Sequence, residues 1–223
     1  MMSSIAHRVL KPILFALLGA MFGLTGLGSL NLARAGVFNL PKFVSPGEFA
    51  IGIEPEVVFS TGGSAGFNAK YTHGISDLSN LQVTLGTGGG NRRFRAGGAF
   101  TFDFFPDIDG QPGIGLALQG LYLRNRLGGT FDLSAVPYLH KSFTLTRSDL
   151  KNGEKNADKG NELDPYLAVP VGINFYDGRY EIPIAVVFGA SFQSFEKIRF
   201  GIELGVAISN TESYMSGGVT YYH

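Results

Sequence analysis

Apolar and polar residues alternate one by one along this chain from residue 48 to its end. The run Phe49, Ile51, Ile53, Pro55, Val57 and Phe59 is apolar, while Glu48, Ala50, Gly52, Glu54 and Glu56 fall between its members. A period of two is that of a strand whose faces differ in chemistry. The pattern returns in Phe67, Ala69 and Tyr71 against Asn68, Lys70 and Thr72, and in Leu81, Val83 and Leu85 against Gln82, Thr84 and Gly86. Phe94 to Phe104 keeps the phase, opposed by Arg93, Arg95, Gly97, Ala99, Thr101 and Asp103. Further strands are predicted at Ile114–Tyr122, from Phe131 onward, at Pro165–Phe175, at Tyr180–Phe192, at Ile198–Ile208 and at Tyr214–Tyr222. Turn-forming clusters separate them, such as Gly74-Ile75-Ser76-Asp77 and Asp177-Gly178-Arg179. The segment from Phe131 to Leu145 reads as one long bent strand with an interruption at Lys141. Lys151–Asp164, charged and rich in Asn, reads as the longest loop.

The two faces decide the fold class. The non-apolar face is mostly Gly, Ala, Glu and Arg, which fits a crowded interior better than a water-facing sheet surface. The apolar face is unbroken on nearly every strand, and exposing it to water costs about 25 cal/mol per Å². The expected fold is all-β: a closed antiparallel up-and-down transmembrane β-barrel of about ten strands, with eight and twelve as alternatives. An even count returns the C-terminus to the side where the first strand began. It also places the Lys151–Asp164 loop on that same side, where turns are normally short. Pro55, Pro137, Pro170 and Pro183 fall inside strands and are expected at bulges or strand ends.

The first 35 residues carry an address. Arg8 and Lys11 precede an apolar stretch from Ile13 to Leu32, and Ala33-Arg34-Ala35 offers small residues at both key positions of a signal-peptidase site. The expected organisation is a signal peptide over 1–35 and one barrel domain over 36–223, exported to the outer membrane of a Gram-negative bacterium. The chain has no Cys, which excludes a lipobox, disulfides and thiol chemistry. Its formal net charge is +0, so nothing electrostatic favours nucleic acid. After residue 35 no apolar run reaches the roughly twenty residues of a membrane-spanning helix. Gly is abundant, at 32 of 223 residues, as suits a crowded lumen.

These features together resemble the small bacterial outer-membrane β-barrels, the broad group that contains the OmpA transmembrane domain. The residues carrying the resemblance are Ala33-Arg34-Ala35, the two-residue repeat and the closing segment from Tyr214 to His223. The resemblance covers the chain after the signal peptide. It implies contact with outer-membrane lipid and lipopolysaccharide, a monomer, and recognition of the last strand by the barrel-assembly machinery. Met215, Val219 and Tyr221 fit that signal, while His223 stands where the group usually ends in Phe.

Candidate chemistry is sparse. A lumen charge network is expected from Glu54, Glu56, Lys70, Arg93, Arg95, Asp103, Glu181, Arg199 and Glu203, with Glu48 and Asp132 in the same phase. Both signs in a narrow barrel predict internal salt bridges, and a structural or narrow-channel role. No catalytic residue, metal site or cofactor is expected, since the chain has neither Cys nor two His at ligand spacing. Two other classes are weighed. One is a lipid-modifying outer-membrane enzyme using His140 with Ser134 or Ser142. The other is a soluble periplasmic β-barrel binding an apolar ligand. The Gly runs at 62–63 and 88–90 lack the Lys of a phosphate loop and read as turns.

Overall fold

Phe49–Val58, the first strand (β1), turns Ile51, Ile53 and Val57 outward and buries Ala50, Glu54, Glu56 and Val58. The computed structural model describes residues 42–60, 63–89, 93–108, 110–124, 128–145 and 161–223. The expected signal peptide and the 146–160 connection lie outside them.

Twelve further strands follow: β2 (Ser64–Ser76), β3 (Ser79–Gly88), β4 (Phe94–Phe105), β5 (Gly113–Arg124), β6 (Gly129–His140), β7 (Phe143–Leu145), β8 (Asn161–Ala168), β9 (Val171–Tyr176), β10 (Arg179–Glu181), β11 (Ile184–Phe195), β12 (Ile198–Ser209) and β13 (Tyr214–Tyr222). All belong to one antiparallel sheet that closes on itself, because β13 pairs with β1. β6 and β7 both pair with β8, and β6 pairs again with β9, so these short strands continue one another. Counted as continuous staves, the barrel has ten. The long strand expected from Phe131 to Leu145 is therefore one stave, broken at Lys141 and Ser142.

Two expectations are corrected. The first concerns the loop Lys151–Asp164, whose last four residues belong to β8. Glu162 and Asp164 are polar because they meet Arg199 inside the barrel, while Leu163 takes the alternate position. The second concerns proline. Pro170 and Pro183 interrupt their staves as expected, with a register shift at Ile184/Ala185 beside Pro183. Pro55 and Pro137 make no bulge. Pro55 stays paired with Phe67, and the β1–β13 register is unshifted on either side of it, at Ile53↔Val219 and Glu56↔Ser216. Pro137 stays opposite Leu116, and its carbonyl accepts from the Val169 N–H at 3.0 Å. A single missing N–H removes one ladder bond and leaves the strand in place.

The outside of the barrel is apolar on every stave. Leu85, Phe104, Ile173, Phe188, Ile202 and Met215 all project outward and are exposed. Inside, charged and polar residues such as Glu54, Asn68, Arg95 and Glu203 are buried.

The chain ahead of β1 folds under one end of this wall. Asn80 accepts from the Val44 N–H at 3.1 Å and donates to the Lys42 carbonyl at 3.2 Å. Gly74 lies beneath this strap, and any side chain there would collide with the Val44 and Ser45 backbone. Lys42 reaches Glu162 on β8 at 2.5 Å. The strap thus ties β3 to β8 across the mouth where the β1 start and the β13 end meet.

Candidate functional site

The lumen is built from cross-strand pairs of one large and one absent side chain. Tyr138 faces Gly115, Tyr166 faces Gly189, and Tyr214 faces Gly205 in register. A Cβ on any of the three glycines would fall inside the tyrosine opposite. Each tyrosine spends its hydroxyl on a carboxylate. Tyr138 donates to Asp103 at 2.7 Å, Tyr214 donates to Glu203 at 2.6 Å, and Tyr166 donates to the other oxygen of Glu203. The glycine supplies the space, the ring fills it, and the phenol donates to a buried acid.

Charged pairs fill the rest. Lys70 meets Glu54 at 2.6 Å, and both are nearly inaccessible. Arg95 meets Glu56 at 2.8 Å, while Asn68 donates to the same Glu56 oxygen at 3.3 Å. Gly66 and Gly86 form the floor beneath Arg95. A Cβ would stand 3.0 Å from Arg95 Nη2 at the first and 3.2 Å from Nε at the second. Nearer the strap, Arg199 pairs with Asp164 and Glu162 and donates to Gln193 at 3.0 Å and Ser191 at 3.2 Å. Such charges are tolerable out of water only when paired and hydrogen-bonded. An apolar patch of Ala117, Val136, Ala168 and Val187 packs against the Tyr138 and Tyr166 rings on one wall.

Of the residues expected in the network, Glu54, Glu56, Lys70, Arg95, Asp103, Arg199 and Glu203 are buried in the lumen. Glu181 lies near the opposite end from the strap, half-buried, and accepts from Tyr176 at 2.7 Å. Arg93 is corrected: it precedes β4, is exposed, and offers its carbonyl to Thr87. It has lumen parity, but the ladder ends before it. Glu48 is likewise exposed ahead of β1.

Three kinds of contributor escaped the sequence reading. The tyrosines did, although Tyr138 has the phase of Asp132 and Ser134. Glu162 and Asp164 did, because the polar run before them reads as a loop. Lys42 did, because nothing local marks a strap.

His140 lies 2.8 Å from Asp103 through Nε2 and packs against Gly113. Among the described residues no serine hydroxyl bonds to His140. Ser134 donates instead to Asp132 at 2.7 Å, and the Ser142 N–H donates to Asp107 at 2.6 Å. Asp107 also holds Lys141. Its slight burial pushes the carboxyl pKa up, but the hydrogen bonds from Lys141 and Ser142, with the Lys141 charge, outweigh that and hold it below the ordinary aspartate value. Histidine and carboxylate are therefore brought together without a nucleophile.

Among the described residues, two small cavities lie between these groups. One lumen cavity of about 30 Å³ lies among Lys42, Glu54, Lys70, Arg199 and Tyr222. Another of about 10 Å³ lies among Gln119, Asp132, Ser134, Gly172 and Thr211. A third, of about 420 Å³, is an open cleft of the far rim beside Tyr122, Phe131, Phe175 and Tyr180.

No family model matches this chain, and no curated protein matches it in sequence. Solved structures do match it in part. An outer membrane channel of Pseudomonas putida F1, COG4313, is 7% identical over 89% of this chain and 100% of its own, at a TM-score of 0.41. A de novo designed transmembrane β-barrel is 12% identical over 83% and 100%, at 0.37. The Acinetobacter baumannii outer membrane protein Omp33 is 9% identical over 79% and 98%, at 0.35.

Proposed function

We propose that this protein is an integral outer-membrane β-barrel whose lumen is closed by its own side chains, serving as a non-catalytic structural barrel of the cell envelope. One observation carries the reading: the distribution of polarity is inside out. Ile51, Leu85, Phe104, Ile202 and Met215 are exposed, while Glu54, Glu56, Arg95 and Glu203 are at most 2% exposed. In water each large apolar side chain left outside forgoes roughly 1.5–3 kcal/mol. In lipid the same surface is the favourable one, and closure leaves no unpaired strand edge. A soluble barrel binding an apolar ligand needs an apolar interior, which paired charges occupy here.

The resemblance to the small outer-membrane barrels fits this reading, as does the address at Ala33-Arg34-Ala35. The closing strand from Tyr214 is the segment that the barrel-assembly machinery would read, and the outer belt would meet lipid and lipopolysaccharide. The closed lumen favours a structural barrel over a narrow channel.

Fractionation of expressing cells tests the location. The expected result is recovery in outer membranes with heat-dependent migration on detergent gels; recovery in the soluble periplasmic fraction overturns it. Planar-bilayer recording tests closure. Silence is expected, and steady single-channel steps whose ion selectivity changes in Glu54→Gln would establish the channel instead.

A further inference from the structure

Four aromatic rings stand side by side on the outer face of the far rim, away from the strap. Tyr122 on β5 lies opposite Phe131 on β6, Phe131 opposite Phe175 on β9, and Phe175 opposite Tyr180 on β10. All four are exposed, and Tyr180, at 71%, is the most exposed large hydrophobic side chain among the described residues. Followed the other way from Tyr122, the same register row runs to Ala96, Leu85 and Ala69. In this row the rings are thus gathered on one wall. They line the open cleft of about 420 Å³, a volume within the range of small-ligand sites, about 300–1,000 Å³. Asp177 and Gly178, with φ of 46° and 72°, make the two-residue turn that sets Tyr180 beside Phe175.

Positive charge is gathered on the same wall. Arg179 lines the cleft. Arg124 lies two residues beyond Tyr122 on the same face of β5, with Phe94 opposite on one side and Gly129 on the other. Gly129 also lines the cleft and puts no side chain between it and Arg124. Both arginines are exposed, and among the described residues neither forms an ion pair. Arg93, exposed just before Phe94, adds a third. The turns at 59–63 and 210–213, elsewhere on this rim, contain no Lys or Arg. Two acids lie on the β9–β10 hairpin: Glu181 is bonded to Tyr176, and Asp177 sits in the turn. An aromatic surface edged by arginines suits an anionic amphiphile. The rings take acyl chains at the membrane boundary, and guanidinium forks match phosphate.

We propose that this cleft seats one lipopolysaccharide molecule, with acyl chains along Tyr122, Phe131, Phe175 and Tyr180 and the phosphorylated head between Arg124 and Arg179. The proposal rests on the outer-membrane reading. There this rim faces the outer leaflet, because the β1 start and the β13 end meet at the other rim. Asp177 repels an anion at the tip of the hairpin, so the phosphate lies toward Arg124.

The test is native mass spectrometry of the full chain refolded into detergent and mixed with purified diphosphoryl lipid A. One bound molecule is expected, with binding weakened at least about tenfold when Arg124→Gln and Arg179→Gln are combined. Tyr180→Ser should also weaken it. Asp177→Asn should tighten it, since Asn suits the positive φ of the turn and removes the repelling charge. These positions are exposed, and heat-dependent gel migration checks that each variant is folded. Equal binding by the wild type and the double arginine variant overturns the site, as does equal retention of dephosphorylated lipid A or of phosphatidylglycerol. Displacement of the lipid by inorganic phosphate alone overturns it too, in favour of a free anion. A barrel missing from outer membranes fails the location reading, whereas one found there that retains no lipid A fails this site alone.

Discussion

Arg95 on β4 meets Glu56 on β1 at 2.8 Å across two intervening strands, β2 and β3. The contact spans because Gly66 and Gly86 put no side chain beneath the guanidinium. Removing one member leaves the other buried with its charge, which typically costs about 3–5 kcal/mol. Arg95→Met should therefore destabilise the barrel by about that much, read as a lower urea midpoint in detergent followed by circular dichroism. Arg95→Met together with Glu56→Leu should recover part of the loss, and an additive double variant would refute the pairing.

The tyrosine–glycine pairs make a sharper claim about size. Gly205→Ala places a methyl group in the ring of Tyr214, and overpacking of this kind costs about 1–3 kcal/mol. Gly217→Ala meets only the Gly201 carbonyl at 3.6 Å and should stay within about 0.5 kcal/mol of wild type. Urea unfolding of both variants side by side checks the contrast.

Asp107 predicts a pH response at the mouth. Its carboxyl is held below the ordinary value by Lys141 and Ser142. A depressed group contributes stability above its unfolded value, about 3.9, and that contribution is lost as pH falls through the folded one. Exchange of the Ser142 amide, measured by hydrogen–deuterium mass spectrometry and corrected for intrinsic rate, should rise as pH drops below about 4. In Asp107→Asn the protection should be low at every pH.

The closing seam includes His223. His223 stacks on Phe49 with ring centroids 4.6 Å apart, and its N–H donates to the Phe49 carbonyl at 2.9 Å. The His223 ring thus covers Phe49 across the seam between β13 and β1. His223→Phe should assemble normally. Deleting His223 should reduce the heat-modifiable fraction in outer membranes.

Much of this was readable one residue at a time. A two-residue period makes each of Glu54, Glu56, Lys70 and Arg95 a statement about a face, and closure then turns a face into an inside. What parity cannot convey is where a ladder stops, and Arg93 keeps the phase of Arg95 beyond the last bond. Parity puts Tyr138 on the lumen face but cannot say that its hydroxyl caps a carboxylate. For Tyr166 the missing clue is Gly189 on the opposite strand, which leaves room for its ring. Glu162 and Asp164 follow a polar stretch with few apolar markers, so their alternation was hidden.

Ten staves place the 146–160 connection on the side where the barrel begins and ends, and leave short turns such as 177–178 and 210–213 on the other. On the proposed reading this makes the cell's exterior almost bald of this protein. An epitope inserted at 177–178 should be stained by antibody on intact cells. One inserted within 146–160 should stay dark until the outer membrane is permeabilised. On that reading the longest connection between staves would face the periplasm rather than the surroundings of the cell.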